Sequence, residues 1–126
     1  MLDVTSALHG ARVLVVEDDF IISMELQSVL TEAGAVIAGA CRTVKEALAL
    51  VDDDDLALAI LDIRLGKDTI APVARQLTRR GIPFVFYTGQ VETDPIRAEW
   101  PDCRIVPKPA QPRTIVAAMA DLLGPH

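Results

Sequence analysis

The residues best suited to chemistry share one feature: each follows a short apolar run by no more than three positions. They are Glu17, Asp18, Asp19, Asp62, Thr88 and Lys108. Clustered carboxylates repel one another unless a proton or a cation lies between them. Mg²⁺ prefers such oxygen ligands and also accepts a phosphate oxygen. Together with a lysine, a divalent ion stabilises a transferring phosphoryl group, and a carboxylate in that site can act as the nucleophile.

Apolar runs alternate with amphipathic stretches along the chain, and this alternation predicts the elements that position those residues. The predicted strands are Arg12–Val16, Val36–Ala40, Leu56–Leu61, Ile82–Tyr87 and Cys103–Val106. The predicted helices are Asp19–Ala33, one from Thr43 to about Asp52, Ile70–Arg80, a short one within 89–102, and Ile115–Leu123. Strands and helices in this order predict an α/β fold, a doubly wound five-stranded parallel sheet with helices on both faces.

Local signals mark several helix ends. Thr43, with Glu46 three residues later, forms the capping-box pattern of a helix start. Asp19 is interpreted as an N-cap or first-turn acid of the first helix rather than as a member of the acidic pair. Asp94 is the predicted cap of the fourth helix, and Pro95 is its predicted first residue. Because Gly89, Pro95 and Pro101 interrupt this region, that helix is expected to be short or irregular.

In an open parallel sheet, ligands bind beyond the carboxyl ends of the strands. The acidic stretch, Asp62, Thr88 and Lys108 are therefore expected to share one edge of the sheet. Asp62 follows the most apolar run, which is the predicted central strand, so it is the best-placed nucleophile.

Composition limits the other function classes. The chain has 126 residues, of which 51% are apolar, and a net charge of −6. This favours one globular domain and disfavours a nucleic-acid partner, which would require clustered basic residues. Two cysteines indicate neither a disulfide framework nor a zinc site. Residues 1–11 do not resemble a signal peptide, and no run of about 18 apolar residues predicts a membrane span. We therefore expect a cytoplasmic protein without a membrane partner.

Four motifs carry a resemblance to a known family. They are Val15-Val16-Glu17-Asp18-Asp19, Leu61-Asp62-Ile63-Arg64-Leu65, Tyr87-Thr88-Gly89 and Pro107-Lys108-Pro109. In this order on successive strands, they make the chain similar to the receiver domain of two-component response regulators. The resemblance implies a flavodoxin-like (βα)₅ fold of the single-domain type. We expect a short leader at 1–10, a receiver domain at 11–124 and no room for an output domain.

The resemblance also implies a metal site. Asp62 corresponds to the phospho-acceptor, Asp18 to a direct Mg²⁺ ligand, and Glu17 to its acidic neighbour, which acts partly through water. Arg64 lies two residues after Asp62, where the family supplies a backbone carbonyl to the metal.

The same resemblance assigns roles to the later motifs. Thr88 corresponds to the switch hydroxyl and Lys108 to the ammonium that pairs with phosphoryl oxygens, and the Lys108–Pro109 bond is expected to be cis. Ile105 departs from the family, which often has Tyr or Phe three residues before the lysine. Because this ring normally follows the threonine, we hypothesise that signalling involves movement of 89–102 or another surface.

The segment after Asp62 is a second departure. Residues 64–69 lack the proline and the later Asp-Gly pair common in receivers, so the third helix is expected to begin with Asp68 or Thr69 as its cap and Pro72 in its first turn.

Three functions remain open. In the first, a sensor histidine kinase or a histidine phosphotransfer protein donates a phosphoryl group to Asp62, and the product signals by protein contact or serves as a phosphate sink. Such a protein is not a turnover enzyme and catalyses only its own phosphorylation and dephosphorylation. The second is a degenerate receiver that binds partners independently of phosphorylation. The third is an aspartate-nucleophile phosphohydrolase, which Arg64 disfavours because that class has Asp two residues after the nucleophile.

Overall fold

The computed structural model describes residues 6–89 and 95–124. The strands are β1 (Arg12–Val16), β2 (Val36–Cys41), β3 (Leu58–Leu61), β4 (Arg64–Leu65), β5 (Asp68–Thr69), β6 (Phe84–Thr88) and β7 (Ile105–Pro107). The helices are α1 (Phe20–Glu32), α2 (Val44–Leu50), α3 (Ala71–Arg79), α4 (Ile96–Glu99) and α5 (Pro112–Leu122). Across these described ranges, no helix is long and apolar enough to cross a membrane.

Five strands form one parallel sheet in the order β2-β1-β3-β6-β7. This order confirms the predicted doubly wound, flavodoxin-like sheet, with β3 at its centre. Val16 pairs with Leu61, and Leu61 pairs with Phe86. The carboxyl ends of β1, β3 and β6 therefore lie side by side, as a common binding edge requires.

The core lies on both faces of the sheet. Side chains of a strand alternate between faces, so Leu14 and Val16 of β1 pack in one cluster and Val13 and Val15 in the other. The first cluster takes buried residues from α2, α3 and α4, whereas α1 and α5 cover the second. Two helices on one face and three on the other leave the strand ends as the open edge.

The first strand matches its prediction, and the other strand bounds shift by one or two residues. The clearest difference is α5, which begins at Pro112 although the apolar periodicity predicted a start at Ile115. Proline is favoured in the first helical turn because its missing N–H would have no intrahelical partner there. The first turn of α5 is exposed, so a pattern of buried residues does not detect it.

A short antiparallel ribbon of β4 and β5 was not predicted. Arg64 pairs with Thr69 and Leu65 with Asp68, which leaves a two-residue turn between the strands. The N-cap of α3 is Ile70 rather than the predicted Asp68 or Thr69, but Thr69 Oγ1 does accept a hydrogen bond from the Ala71 amide at the helix start, at 3.0 Å. Because Asp68 and Thr69 pair in the ribbon, α3 begins after them, at Ala71. Pro72 lies in the first turn, as predicted.

The fourth helix is short, as predicted, and comprises the single turn Ile96–Glu99. Pro95 is its N-cap rather than its first residue, and the predicted cap Asp94 lies outside the described residues. Glu99 accepts two hydrogen bonds from Arg75 of α3, at 2.8 and 2.9 Å. The Trp100 indole donates to Thr78 at 3.1 Å. Two polar contacts thus hold this turn against α3.

Residues before Ala11 contribute to the core. Leu8 is fully buried, and its amide donates to the Ala33 carbonyl at 2.9 Å. The family-based boundary at residue 11 stays a prediction, but the packing extends to Leu8.

The capping box of α2 provides a test of local stability. The Glu46 amide donates to Thr43 Oγ1 at 3.1 Å, and the Arg42 amide donates to Glu46 Oε1 at 3.2 Å. Replacing Thr43 with Ala removes the acceptor, so Thr43→Ala is expected to lower the free energy of unfolding by about 1 kcal/mol in urea. The matched control is Thr31→Ala, at an exposed position late in α1. Equal unfolding midpoints for the two variants would contradict the assigned cap.

Candidate functional site

Three carboxylates converge at the carboxyl edge of the sheet. One oxygen each from Glu17, Asp18 and Asp62 lies within 4.8 Å of the others. Strand hydrogen bonds set two of these positions, because the Glu17 amide donates to Cys41 at 3.0 Å and the Asp62 amide donates to Val16 at 2.9 Å. The acids therefore meet because their backbones extend the pairing of β1 with β2 and of β3 with β1.

Lys108 reaches this cluster from the edge strand. Its Nζ lies 2.6 Å from Glu17 Oε1 and 3.0 Å from Asp62 Oδ2. The Lys108 amide donates to the Thr88 carbonyl at 3.0 Å, and this bond holds the Lys108 backbone beside the end of β6. The Lys108–Pro109 bond is cis, as the resemblance implied. One ammonium thus pairs with two of the three carboxylates.

Thr88 and Arg64 occupy different surroundings. Thr88 ends β6 and is 1% exposed, beside the central strand. Arg64 begins the ribbon, and its exposed side chain lines a cavity of about 250 Å³ between the ribbon, α3 and α4. The structure brings Glu17, Asp18, Asp62 and Lys108 together. The hydroxyl role of Thr88 and the carbonyl role of Arg64 stay predictions.

Glu17 is the most deeply buried acid of the site, at 1% exposure. Burial raises its pKa from 4.5 to about 7, although Lys108 and the Asp19 amide act in the opposite direction. A raised carboxyl pKa means that burial of Glu17 weakens the fold once the group is ionised. Its contribution to stability is therefore fully present below pH 4.5 and is lost as the pH rises through about 7.

Lys108 stays cationic in this environment. Burial lowers its pKa, but ion pairing with Glu17 and Asp62 outweighs burial, and the net pKa lies above its ordinary value. The site therefore holds a positive charge beside its carboxylates.

Asp19 caps α1, as interpreted from the sequence. Its side chain accepts from the Ile22 amide at 3.0 Å. Its own amide donates to Glu17 Oε2 at 3.1 Å. Asp19 thus belongs to the helix start and also helps to hold Glu17.

Two further residues contact Asp18 and were not found from the sequence. The Gly66 amide donates to Asp18 Oδ2 at 2.9 Å, and Arg42 Nε donates to the Asp18 carbonyl at 3.3 Å. A glycine followed by another residue between two strands indicates a hairpin turn, and Gly66-Lys67 is such a pair, so the sequence could have indicated the ribbon turn. The Arg42 contact has no local signal, because it joins positions 24 residues apart.

The donor set fits a hard divalent cation. Three carboxylates with oxygen ligands suit Mg²⁺, Ca²⁺ or Mn²⁺ better than zinc, which prefers sulfur and nitrogen. Cys41 does not change this assignment, because burial raises its pKa to about 11 and keeps it a thiol. The raised pKa of Glu17 follows mainly from burial, and the nearby charge of Asp62 acts in the same direction.

Comparisons with solved structures give the same architecture. The solution structure of SdrG from Sphingomonas melonis Fr1 is 36% identical, with a TM-score of 0.78 over 90% of this chain and 97% of that one. The PhyR response regulator REC domain from Erythrobacter litoralis is 28% identical, with a TM-score of 0.80 over 93% and 92%. The non-phosphorylated HemR receiver domain from Leptospira biflexa shares the fold at 24% identity, with a TM-score of 0.78 over 92% and 98%.

A comparison with curated proteins found no match. The family model for the response regulator receiver domain matches residues 13–120, which include the three acids, Thr88 and Lys108. With this match over most of its length and the parallel sheet described above, the chain belongs to the response regulator receiver domain family, a family of signalling domains in two-component systems.

Proposed function

We propose that the chain accepts a phosphoryl group on Asp62 in a Mg²⁺-dependent reaction. The observation that carries this proposal is the setting of the Asp62 carboxylate at the end of the central strand. Lys108 Nζ lies 3.0 Å from Asp62 Oδ2, and oxygens of Glu17 and Asp18 lie within 4.8 Å. A nucleophile, a fixed cation and ligands for a second cation are the parts that phosphoryl transfer requires.

The reaction forms one bond and breaks one. An Asp62 carboxylate oxygen attacks the phosphorus of a phosphohistidine donor, the new O–P bond forms, and the N–P bond breaks. The donor imidazole leaves with the N–P electron pair and takes up a proton from water. Mg²⁺, held by Glu17, Asp18, Asp62 and the Arg64 carbonyl, would supply positive charge beside the transferring oxygens.

Lys108 is suited to hold the product. When Asp62 becomes an acyl phosphate, its carboxylate charge moves to the phosphoryl oxygens. The Lys108 ammonium already lies against Asp62 and is held cationic by its ion pairs. It can therefore follow the charge without leaving the pocket. The Thr88 hydroxyl, buried at the end of β6, is our candidate for a hydrogen bond to a phosphoryl oxygen.

A protein donor is supported by the surface beside the acids. Three large apolar side chains near the start of α1 are 51–62% exposed: Phe20, Ile21 and Met24. Exposed apolar patches of this kind mark protein interaction sites. We propose a sensor histidine kinase or a histidine phosphotransfer protein as the donor, with signalling by protein contact or action as a phosphate sink afterwards.

Substitution of Asp62 tests the acceptor. Wild-type protein treated with Mg²⁺ and acetyl phosphate is expected to gain the mass of one phosphoryl group. Asp62→Asn should lose all labelling because the amide is a poor nucleophile. Intact-mass spectrometry gives the first readout. Amide chemical shifts with Mg²⁺ and a beryllofluoride salt give a second, which does not depend on the lifetime of the acyl phosphate.

The control is Asp102→Asn, an exposed acid in the loop before β7, which should label as the wild type does. Labelling that persists in Asp62→Asn would contradict the assigned acceptor. A wild-type chain that binds no Mg²⁺ at millimolar concentration would instead favour the alternative, a receiver that binds partners independently of phosphorylation.

Glu17 predicts a pH dependence of cation binding. Because its pKa is raised to about 7, a bound cation must displace a proton at lower pH. Mg²⁺ affinity is therefore expected to rise about tenfold between about pH 6 and about pH 8 through this group. Calorimetry in buffers of different ionisation enthalpy measures both the affinity and the proton release.

Glu17→Gln removes the titrating group and should bind Mg²⁺ more weakly, without this proton release. The matched control is Glu25→Gln on the exposed side of α1, which should keep the wild-type profile. An affinity that is flat across this range in the wild type would argue against Glu17 as a ligand.

A further inference from the structure

We propose that the backbone amide of Gly66 orients the Asp18 carboxylate for the divalent cation, so that Gly66 is a positioning residue of the site. This inference rests on the Mg²⁺ site proposed above. Its direct evidence is the 2.9 Å hydrogen bond from the Gly66 amide to Asp18 Oδ2, which joins positions 48 residues apart. A carboxylate has two oxygens, so a donor on Oδ2 fixes the group while Oδ1 can serve as a ligand.

The geometry of the ribbon turn makes this amide available. Leu65 pairs with Asp68, so Gly66 and Lys67 are the two central residues of the turn. Gly66 has φ +62, whereas among the described residues no residue other than glycine has a positive φ. In a two-residue hairpin turn, a positive φ at the first central residue alone is the φ pattern of type II′, which favours glycine at that position. The Gly66 amide takes no part in the ladder and is free to donate outward.

The core holds the ribbon independently of Asp18. Leu65 is 5% exposed, and Ile63 and Ile70 on either side of the ribbon are fully buried. The Ile70 amide donates to the Ile63 carbonyl at 2.9 Å and closes the base of the ribbon. The turn is therefore presented by packed side chains, and the donor has a fixed place before any cation arrives.

Asp18 has particular need of such a donor. It is more exposed than Glu17 and Asp62, and the Lys108 ion pairs are made to those two acids. A more exposed carboxylate keeps more rotamer freedom, which binding must remove. Hydrogen-bond partners of metal ligands typically change metal affinity by about 10- to 100-fold when they are lost.

Gly66→Ala and Gly81→Ala form a matched pair for the test. Their φ values are +62 and +71, and a Cβ at either position would meet no heavy atom within 4 Å. Both variants therefore place alanine in an unfavourable backbone conformation without a steric clash. Only Gly66 donates a hydrogen bond to Asp18, whereas Gly81 lies in the connection between α3 and β6, so Gly81→Ala is the control. We expect both to lower the thermal midpoint. The Mg²⁺ dissociation constant from calorimetry should rise about tenfold in Gly66→Ala and stay at the wild-type value in Gly81→Ala.

Amide exchange gives a second measurement that does not depend on the folding of Gly66→Ala. In the Mg²⁺-free wild type, the Gly66 amide is expected to exchange slowly for a turn residue, and Asp18→Ala should speed its exchange. Equal Gly66 exchange in wild type and Asp18→Ala overturns the inference.

The Mg²⁺ titration separates the two proposals. A wild type that binds Mg²⁺ while Gly66→Ala binds it equally well overturns the role of Gly66 alone. A wild type that binds no Mg²⁺ overturns the proposed function, and this role with it.

Discussion

The structure depends on an imbalance of charge at one edge of the sheet. Three carboxylates lie within 4.8 Å of one another, and the Lys108 ammonium pairs with two of them. Charges of one sign at this separation and partial burial cannot all remain ionised without compensation. Burial raises the pKa of Glu17 to about 7, and the negative charge of Asp62 acts in the same direction. A divalent cation would remove the imbalance more completely than a proton does.

The sheet order makes this concentration of charge possible. With β3 between β1 and β6, the residues that follow β1 and β3 become neighbours, and Thr88 lies beside them at the end of β6. Lys108 follows β7, one strand further from the centre, and its Nζ lies 3.0 Å from Asp62 Oδ2. A four-carbon side chain with a cationic end suits that span, and it explains why Lys108 is partly buried along its length.

Much of this arrangement follows from the sequence, because each key side chain comes next to an apolar run with a clear period. Asp62 and Lys108 could therefore be assigned to the strand ends before their distance was known. The ribbon of β4 and β5 could not, since two-residue strands are too short to show a period. The contacts of the Gly66 amide and the Asp18 carbonyl are made by backbone groups, so the types of the side chains at these positions do not predict them. The sequence shows that Ile105 departs from the family pattern. It does not show the edge-to-face contacts of Trp100 with Phe84 and Phe86, because these join residues far apart along the chain.

The buried acid also explains a tension between stability and function. Glu17 directly follows the core strand β1, where an apolar residue would pack without any penalty for burying charge. Its carboxyl group instead lies buried with a pKa near 7 and opposes folding as it ionises. A buried carboxylate costs stability when it is ionised without full compensation, and a cation held beside it would offset that cost. Lys108 limits this penalty without abolishing it, because burial outweighs the lowering effect of the Lys108 contact on the pKa of Glu17. The Lys108 ammonium therefore offsets only part of the cost of burying the Glu17 carboxylate.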